Sequence, residues 1–276
     1  MRIFIVDMIT ITKINSVIFC LAMSLCGFTF QDLSSDELFE KLNKLDWKME
    51  FTDSFEYDWE KNWVLDGKNA RISTNNHGMS FWAGNRPWQD EDHAVLWTRK
   101  KFEGDIRIEW DYTRLDSTTN MVTIIYFHAE GNDSAGFDKN IHSWSHQRII
   151  PSMKTYFDNM DLIHVSYAAF TNDQKVGEQY LRARRYRPDL KTGLKGTDLG
   201  GFENINGFFE TGVKHHLVLI KRGKDIVMSI ANPNQQKVYR WSLDGQPDQS
   251  SGHIGLRHMY TRGALYQNFN VSLLGK

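Results

Sequence analysis

Nine separate segments between residues 94 and 273 set apolar side chains at every second position, which points the chain to β-structure. They span residues 94–97, 106–112, 121–128, 162–168, 216–221, 226–230, 238–243, 254–260 and 264–273. Asp66-Gly67, Arg222-Gly223, Asp244-Gly245 and Arg262-Gly263 supply turn signals. No long helical pattern alternates with these strands, which argues against a doubly wound parallel sheet. About a dozen short strands over roughly 220 residues predict one all-β sandwich of two antiparallel sheets. Before them, Ser34-Ser35-Asp36-Glu37 opens a short helix with Leu38, Phe39, Leu42 and Leu45 on one face and a serine N-cap.

Composition agrees. The chain has 17 Phe, 10 Tyr and 9 Trp but only 5 Pro, which suits strands with broad flat contact surfaces. With 41% hydrophobic and 24% charged residues it is a globular sequence. Its 33 basic and 34 acidic residues leave a net charge of -1, so no bulk field favours nucleic acid.

Residues 14–30 form an apolar run behind Lys13 and before polar Gln31-Asp32. This reads as a secretory signal peptide over residues 1–30, ahead of a single domain over residues 31–276. Seventeen residues beginning Asn15-Ser16 are short for a span, so no transmembrane segment is expected in the mature protein. Asp7 is foreign to such a signal, and Met8 is an alternative start. Both cysteines, Cys20 and Cys26, lie within the run; Cys26 is a lipidation candidate in a poor small-residue context. The mature domain then lacks disulfides, a thiol nucleophile and cysteine-held zinc. Export is expected, to the periplasm first, with secretion or lipid anchoring as alternatives.

No phosphate loop, nucleophile elbow or zinc-protease motif is present. Glu109 and Asp111 would share a strand face, the nearest approach to a glycosidase pair; on an amphipathic strand such a pair is more often a solvated face. A sharper cluster runs from Tyr180 to Arg187. If extended, it projects Tyr180, Arg182, Arg184 and Tyr186 to one side and Arg185 and Arg187 to the other. Guanidinium groups interleaved with phenols suit a carboxylate or sulfate on a stacked sugar; the bland reading is a charged edge strand. Four arginines in six residues also repel unless acids or anions intervene.

His164 and Ser166 alternate against Ile163, Val165 and Tyr167, placing an imidazole beside a hydroxyl on one face. Tyr156 lies upstream, His93 enters the strand at 94–97, and Arg257 alternates against Leu256 with His258 and Tyr260 close by. His164, Tyr156 and Tyr260 are the candidate acid–base residues; Arg182, Arg184, Tyr180, His93 and Arg257 are the candidate substrate contacts. His142 and His146 are a weak metal pair, so no catalytic metal or cofactor is assigned, a structural calcium ion aside. Such an inventory fits proton abstraction next to a carboxylate: arginine neutralises a uronate, and a histidine or tyrosine removes the C5 proton. Two weakly patterned stretches, residues 131–161 and 187–212, are long enough to cover a binding face.

The stretches DHAVLWTRKKFEGDIRIEWDY (92–112), LIHVSY (162–167) and GHIGLRHMYTRGALYQNFNV (252–271) resemble a bacterial family of formerly unknown function found beside pectin- and ulvan-degrading enzymes. The resemblance covers nearly the whole mature chain. It implies a concanavalin-like jelly roll acting on anionic, uronic-acid-containing oligosaccharides. The expected activity is a carbon–oxygen lyase, most directly a dehydratase forming a 4,5-unsaturated uronate at the non-reducing end. The alternatives are a non-catalytic carbohydrate-binding sandwich or a glycoside hydrolase.

Overall fold

The computed structural model describes residues 33–171, 178–201 and 203–275. The expected signal segment, with Cys20 and Cys26, lies outside the described residues. Among them no helix is long and apolar enough to cross a membrane.

Sixteen strands follow in chain order: β1 Trp47–Asp53, β2 Trp63–Asp66, β3 Arg71–Asn75, β4 Gly78–Trp82, β5 Ala94–Thr98, β6 Phe102–Glu103, β7 Ile106–Arg114 and β8 Thr123–Gly131; then β9 Met160–Phe170, β10 Gln179–Tyr186, β11 Glu203–Asn204, β12 Lys214–Arg222, β13 Asp225–Ala231, β14 Gln236–Ser242, β15 Ser251–His258 and β16 Gly263–Leu274. They form two antiparallel sheets packed as a jelly-roll sandwich. The first has the order β14-β13-β12-β7-β16-β4-β3, with β1 added along β16. The second runs β11-β10-β9-β8-β15-β5-β2, with β6 added along β15. All nine expected strands are present. The four between Trp47 and Trp82 are not marked out one by one in the sequence: β2, β3 and β4 have only four or five residues each, and β1 buries little of its length.

The alternation works as the period requires. Trp110, Leu217, Met228 and Tyr266 of the first sheet meet Phe127, Ile163, Val165 and Leu256 of the second in one buried core. Helix α1, Ser35–Asn43, starts at a capping box between Ser34 and Glu37. Its Leu38, Phe39 and Leu42 cover Val218, Ile220, Val227 and Val238 on the outer face of the first sheet.

The second sheet is buried on both faces. Its outer face carries a second cluster that includes Trp97, Tyr126, Leu162 and Tyr186. Residues 131–161 fold over it through a 3-10 segment, Ile141–Arg148, and helix α2, Met153–Asn159. Ser152 caps α2 by accepting from Thr155 N, and Tyr156 points beneath it into the cluster. Both stretches expected to cover a face do so, since residues 187–212 contribute Leu194 to the same cluster.

Candidate functional site

Strand register assembles the outer face of the second sheet. In antiparallel pairing, residues directly opposite share a face. One row therefore reads Arg182, Ser166, Ile124, Arg257, Val95 and Asp66 across β10, β9, β8, β15, β5 and β2. The next reads Arg184, His164, Tyr126, Gly255 and Trp97. A Cβ at Gly255 would meet the Trp97 ring at 2.6 Å, so only glycine lets the indole lie across that position. Four sequence candidates, Arg182, Arg184, His164 and Arg257, thus stand on two adjacent rows.

Between β8, β9, β10 and the covering loops lies a cavity of about 220 Å³. His164, Ser166, Tyr180, Arg182 and Arg184 line its polar side, and Met153, Met259 and Leu194 its apolar side. His164 is 3% exposed; its Nδ1 lies 2.8 Å from Tyr186 Oη and its Nε2 2.5 Å from Ser166 Oγ. Burial, then Arg184, Arg257 and Arg182, holds its pKa well below the usual imidazole value, so it is neutral at pH 7. Burial raises the Tyr180 phenol against the pull of Arg182 and Arg184, keeping it protonated.

Acids do intervene among the arginines. Asp198 sits 3.5 Å from Arg182 Nε and 3.2 Å from Arg184 Nη2, Asp161 3.1 Å from Arg185, and Asp189 2.6 Å from Arg187. Two cavity arginines therefore share one half-exposed carboxylate. The sidedness is as expected: Arg185 lies across the strand from Arg182 and Arg184. It is not a solvated residue, however, but 2% exposed and paired within the fold.

Behind the cavity Arg257 is fully buried. Its Nη2 donates to Pro151 O at 2.7 Å and to His93 Nδ1 at 3.0 Å, and its guanidinium lies 4.7 Å over the Tyr156 ring. Among the described residues no carboxylate forms an ion pair with it. Burial, then Arg257, takes His93 down to about 3, which leaves the imidazole neutral and able to accept that bond.

The two tyrosines expected as acid–base groups are not in the cavity. Tyr156 is 0% exposed; its hydroxyl donates to Asp66 Oδ2 at 3.0 Å, and burial, then Asp66, raises its pKa far above the ordinary value. Tyr260 stacks on His93 at 5.1 Å, with its pKa raised by burial to about 12. Both are supports. His258, near Arg257 in sequence, points to the opposite face and bonds Tyr266 Oη at 2.8 Å. His142 packs against His253 at 4.5 Å rather than pairing with exposed His146. No group of three His, Cys, Asp or Glu that could hold a metal occurs among the described residues. Glu109 and Asp111 do share a face, where they clasp His216 at 3.1 and 2.9 Å.

Sequence reasoning missed Asp66, hidden in an Asp-Gly turn signal. It is buried and accepts from Arg148 Nε at 2.6 Å, Trp97 Nε1 at 2.7 Å and Tyr156, tying the 3-10 segment and α2 of the covering stretch to β2 and β5. Asp198 was equally unsignalled.

The model of the family described as a domain of unknown function, DUF1961, matches residues 50–271. The chain belongs to that family. This DUF1961 domain aligns with a Bacillus subtilis protein of unknown function with a galectin-like fold, over 82% of this chain and 97% of that one, at 18% identity and TM-score 0.59. The exoplasmic/lumenal domain of VIP36, solved with Ca2+ and Man3GlcNAc, aligns over 83% and 91%, at 9% identity and TM-score 0.56. Basic winged bean lectin, solved with Tn-antigen, aligns over 80% and 96%, at 10% identity and TM-score 0.51. These likenesses establish the lectin-type fold. No curated protein matches the chain.

Proposed function

We propose that the protein is a carbon–oxygen lyase of uronic-acid-terminated oligosaccharides, most directly a dehydratase, resembling the ulvan oligosaccharide dehydratase of marine bacteria. One observation carries the reading: a neutral His164 lines a cavity with two arginines, above a third that lacks a carboxylate partner among the described residues. Guanidinium groups gathered beside a neutral imidazole suit a uronate carboxylate. Sugar-bound proteins among the solved neighbours support a saccharide as the ligand.

The uronate carboxylate displaces Asp198 from Arg182 and Arg184, and neutralising it makes the C5 proton removable. Ser166 Oγ turns from Nε2, and His164 takes the C5 proton there. The C–H electron pair becomes the C4–C5 double bond while the C4–O bond breaks. Tyr180 gives its proton to the departing hydroxyl, which leaves as water, and the proton on His164 returns to the phenolate through solvent. The bound carboxylate offsets the arginine field, so His164 becomes a stronger base when substrate is present.

A binding module without turnover is the second reading. It is favoured by the two hydroxyl groups that hold both nitrogens of His164. The test is incubation with glucuronate- or iduronate-terminated oligosaccharides while ultraviolet absorbance of a new double bond is followed. Binding without absorbance would leave the module reading alone.

A further inference from the structure

Trp88 is 64% exposed, and its backbone φ of 65° lies in the left-handed region that bulky residues rarely occupy. The loop that carries it, residues 84–92, is rigid by construction. Asp92, 1% exposed, accepts from Arg86 N at 2.5 Å, Arg86 Nη2 at 2.7 Å and Asn69 Nδ2 at 2.5 Å. Gly84 N donates to Asp92 O at 2.8 Å, while Gly84 O accepts from Thr261 N at 2.9 Å. A Cβ at Gly84 would meet Asp92 Cγ at 2.4 Å, so the loop closes only on glycine.

Inward, the Trp88 ring meets Tyr260 at 5.5 Å, Tyr260 stacks on His93, and His93 accepts from Arg257. Tyr260 follows Met259, which lines the His164 cavity. The same loop borders a hollow of about 470 Å³ with Lys68, Arg71 and Arg86 set against Glu91 and Asp92. Asp92 is already committed to Arg86, so the hollow's other charges are Glu91 against Lys68 and Arg71, the latter donating to Asn85 Oδ1 at 3.1 Å.

We infer that Trp88 and this hollow form a second sugar subsite, which takes an anionic unit further along the oligosaccharide whose terminal uronate enters the His164 cavity. The indole offers a fixed apolar face to the C–H side of a pyranose, and Lys68 with Arg71 pairs its acidic substituent. The inference rests on the uronate reading above.

The experiment is calorimetric titration of the full chain with a glucuronate-terminated disaccharide and with a tetrasaccharide carrying a second carboxylate. Wild type should bind the tetrasaccharide about tenfold tighter. Trp88→Ala and the double variant Lys68→Ala/Arg71→Ala should each lose that gain, keep disaccharide affinity, and show unchanged circular dichroism. Equal affinity of wild type for both lengths, or a gain that survives in both variants, overturns the subsite alone. Failure of wild type to bind either saccharide overturns the uronate reading and the subsite with it.

Discussion

The guanidinium of Arg257 lies 4.7 Å over the ring of Tyr156, so among the described residues a fully buried cation is met by a π face and neutral acceptors instead of a carboxylate. Tyr156 holds two things at once, because its hydroxyl also reaches Asp66. Tyr156→Phe keeps the ring and leaves Asp66 Oδ2 with two donors, and should cost about 1 kcal/mol. Tyr156→Leu also removes the face under Arg257 and should cost roughly 2 kcal/mol more. Urea denaturation checks this; equal stability of the two variants would refute the role given to the ring.

Buried neutral histidines make the fold acid-sensitive well above the carboxylate range. Burial lowers His93, His128 and His258 to about 3 and His253 to about 4, and His164 well below its ordinary value. Each folded pKa is below the unfolded value of 6.5, so unfolding takes up protons. Their contribution is complete above 6.5 and is lost as pH falls toward 3 to 4. Between about pH 6.5 and 5, before the carboxylates titrate, the urea midpoint should fall, each histidine approaching about 1.4 kcal/mol per pH unit. A flat midpoint over that interval would show that these imidazoles reach solvent.

What was legible in the sequence is what period two controls. The faces of Tyr180, Arg182 and Arg184, and of His164 and Ser166, follow from alternation alone. Their meeting does not, because it depends on β9–β10 register and on loops that close over the sheet. Tyr156 and Tyr260 show the limit: residue type identifies a phenol but not whether it opens to a cavity. Asp66 is hidden for a different reason. An Asp-Gly pair signals a turn, and its burial is decided by Arg148, 82 residues away.

His216 titrates with the opposite sign. Hydrogen bonds first to Asp111, then to Glu109, raise its pKa to about 9, above the unfolded 6.5. Its contribution is therefore complete below 6.5 and is lost as pH rises through about 9. The side chain is half exposed, so solvent screening holds the gain to about 1 kcal/mol or less. His216→Gln should flatten the alkaline limb of the stability profile. An unchanged limb in that variant would assign it to another group.

Arg182 is the decisive residue for turnover. It lines the cavity beside Tyr180, with its guanidinium 5.4 Å from that ring, and its Nε lies 3.5 Å from Asp198. A uronate carboxylate entering the cavity competes with Asp198 for it. Charge builds on that carboxylate in the transition state, so Arg182→Ala should lower turnover more than it weakens binding, by on the order of a hundredfold to a thousandfold. Arg182→Lys should recover little, since an ammonium lacks the paired donors. Arg185 cannot serve as the control, because it is buried and paired with Asp161, and truncating it would unsettle the fold. Arg222→Ala is suitable instead: it is exposed, stands on the first sheet, and lies 4.0 Å from Asp105. Normal folding of Arg182→Ala with near-native turnover would mean that the arginine strand is a charged edge and the carboxylate binds elsewhere.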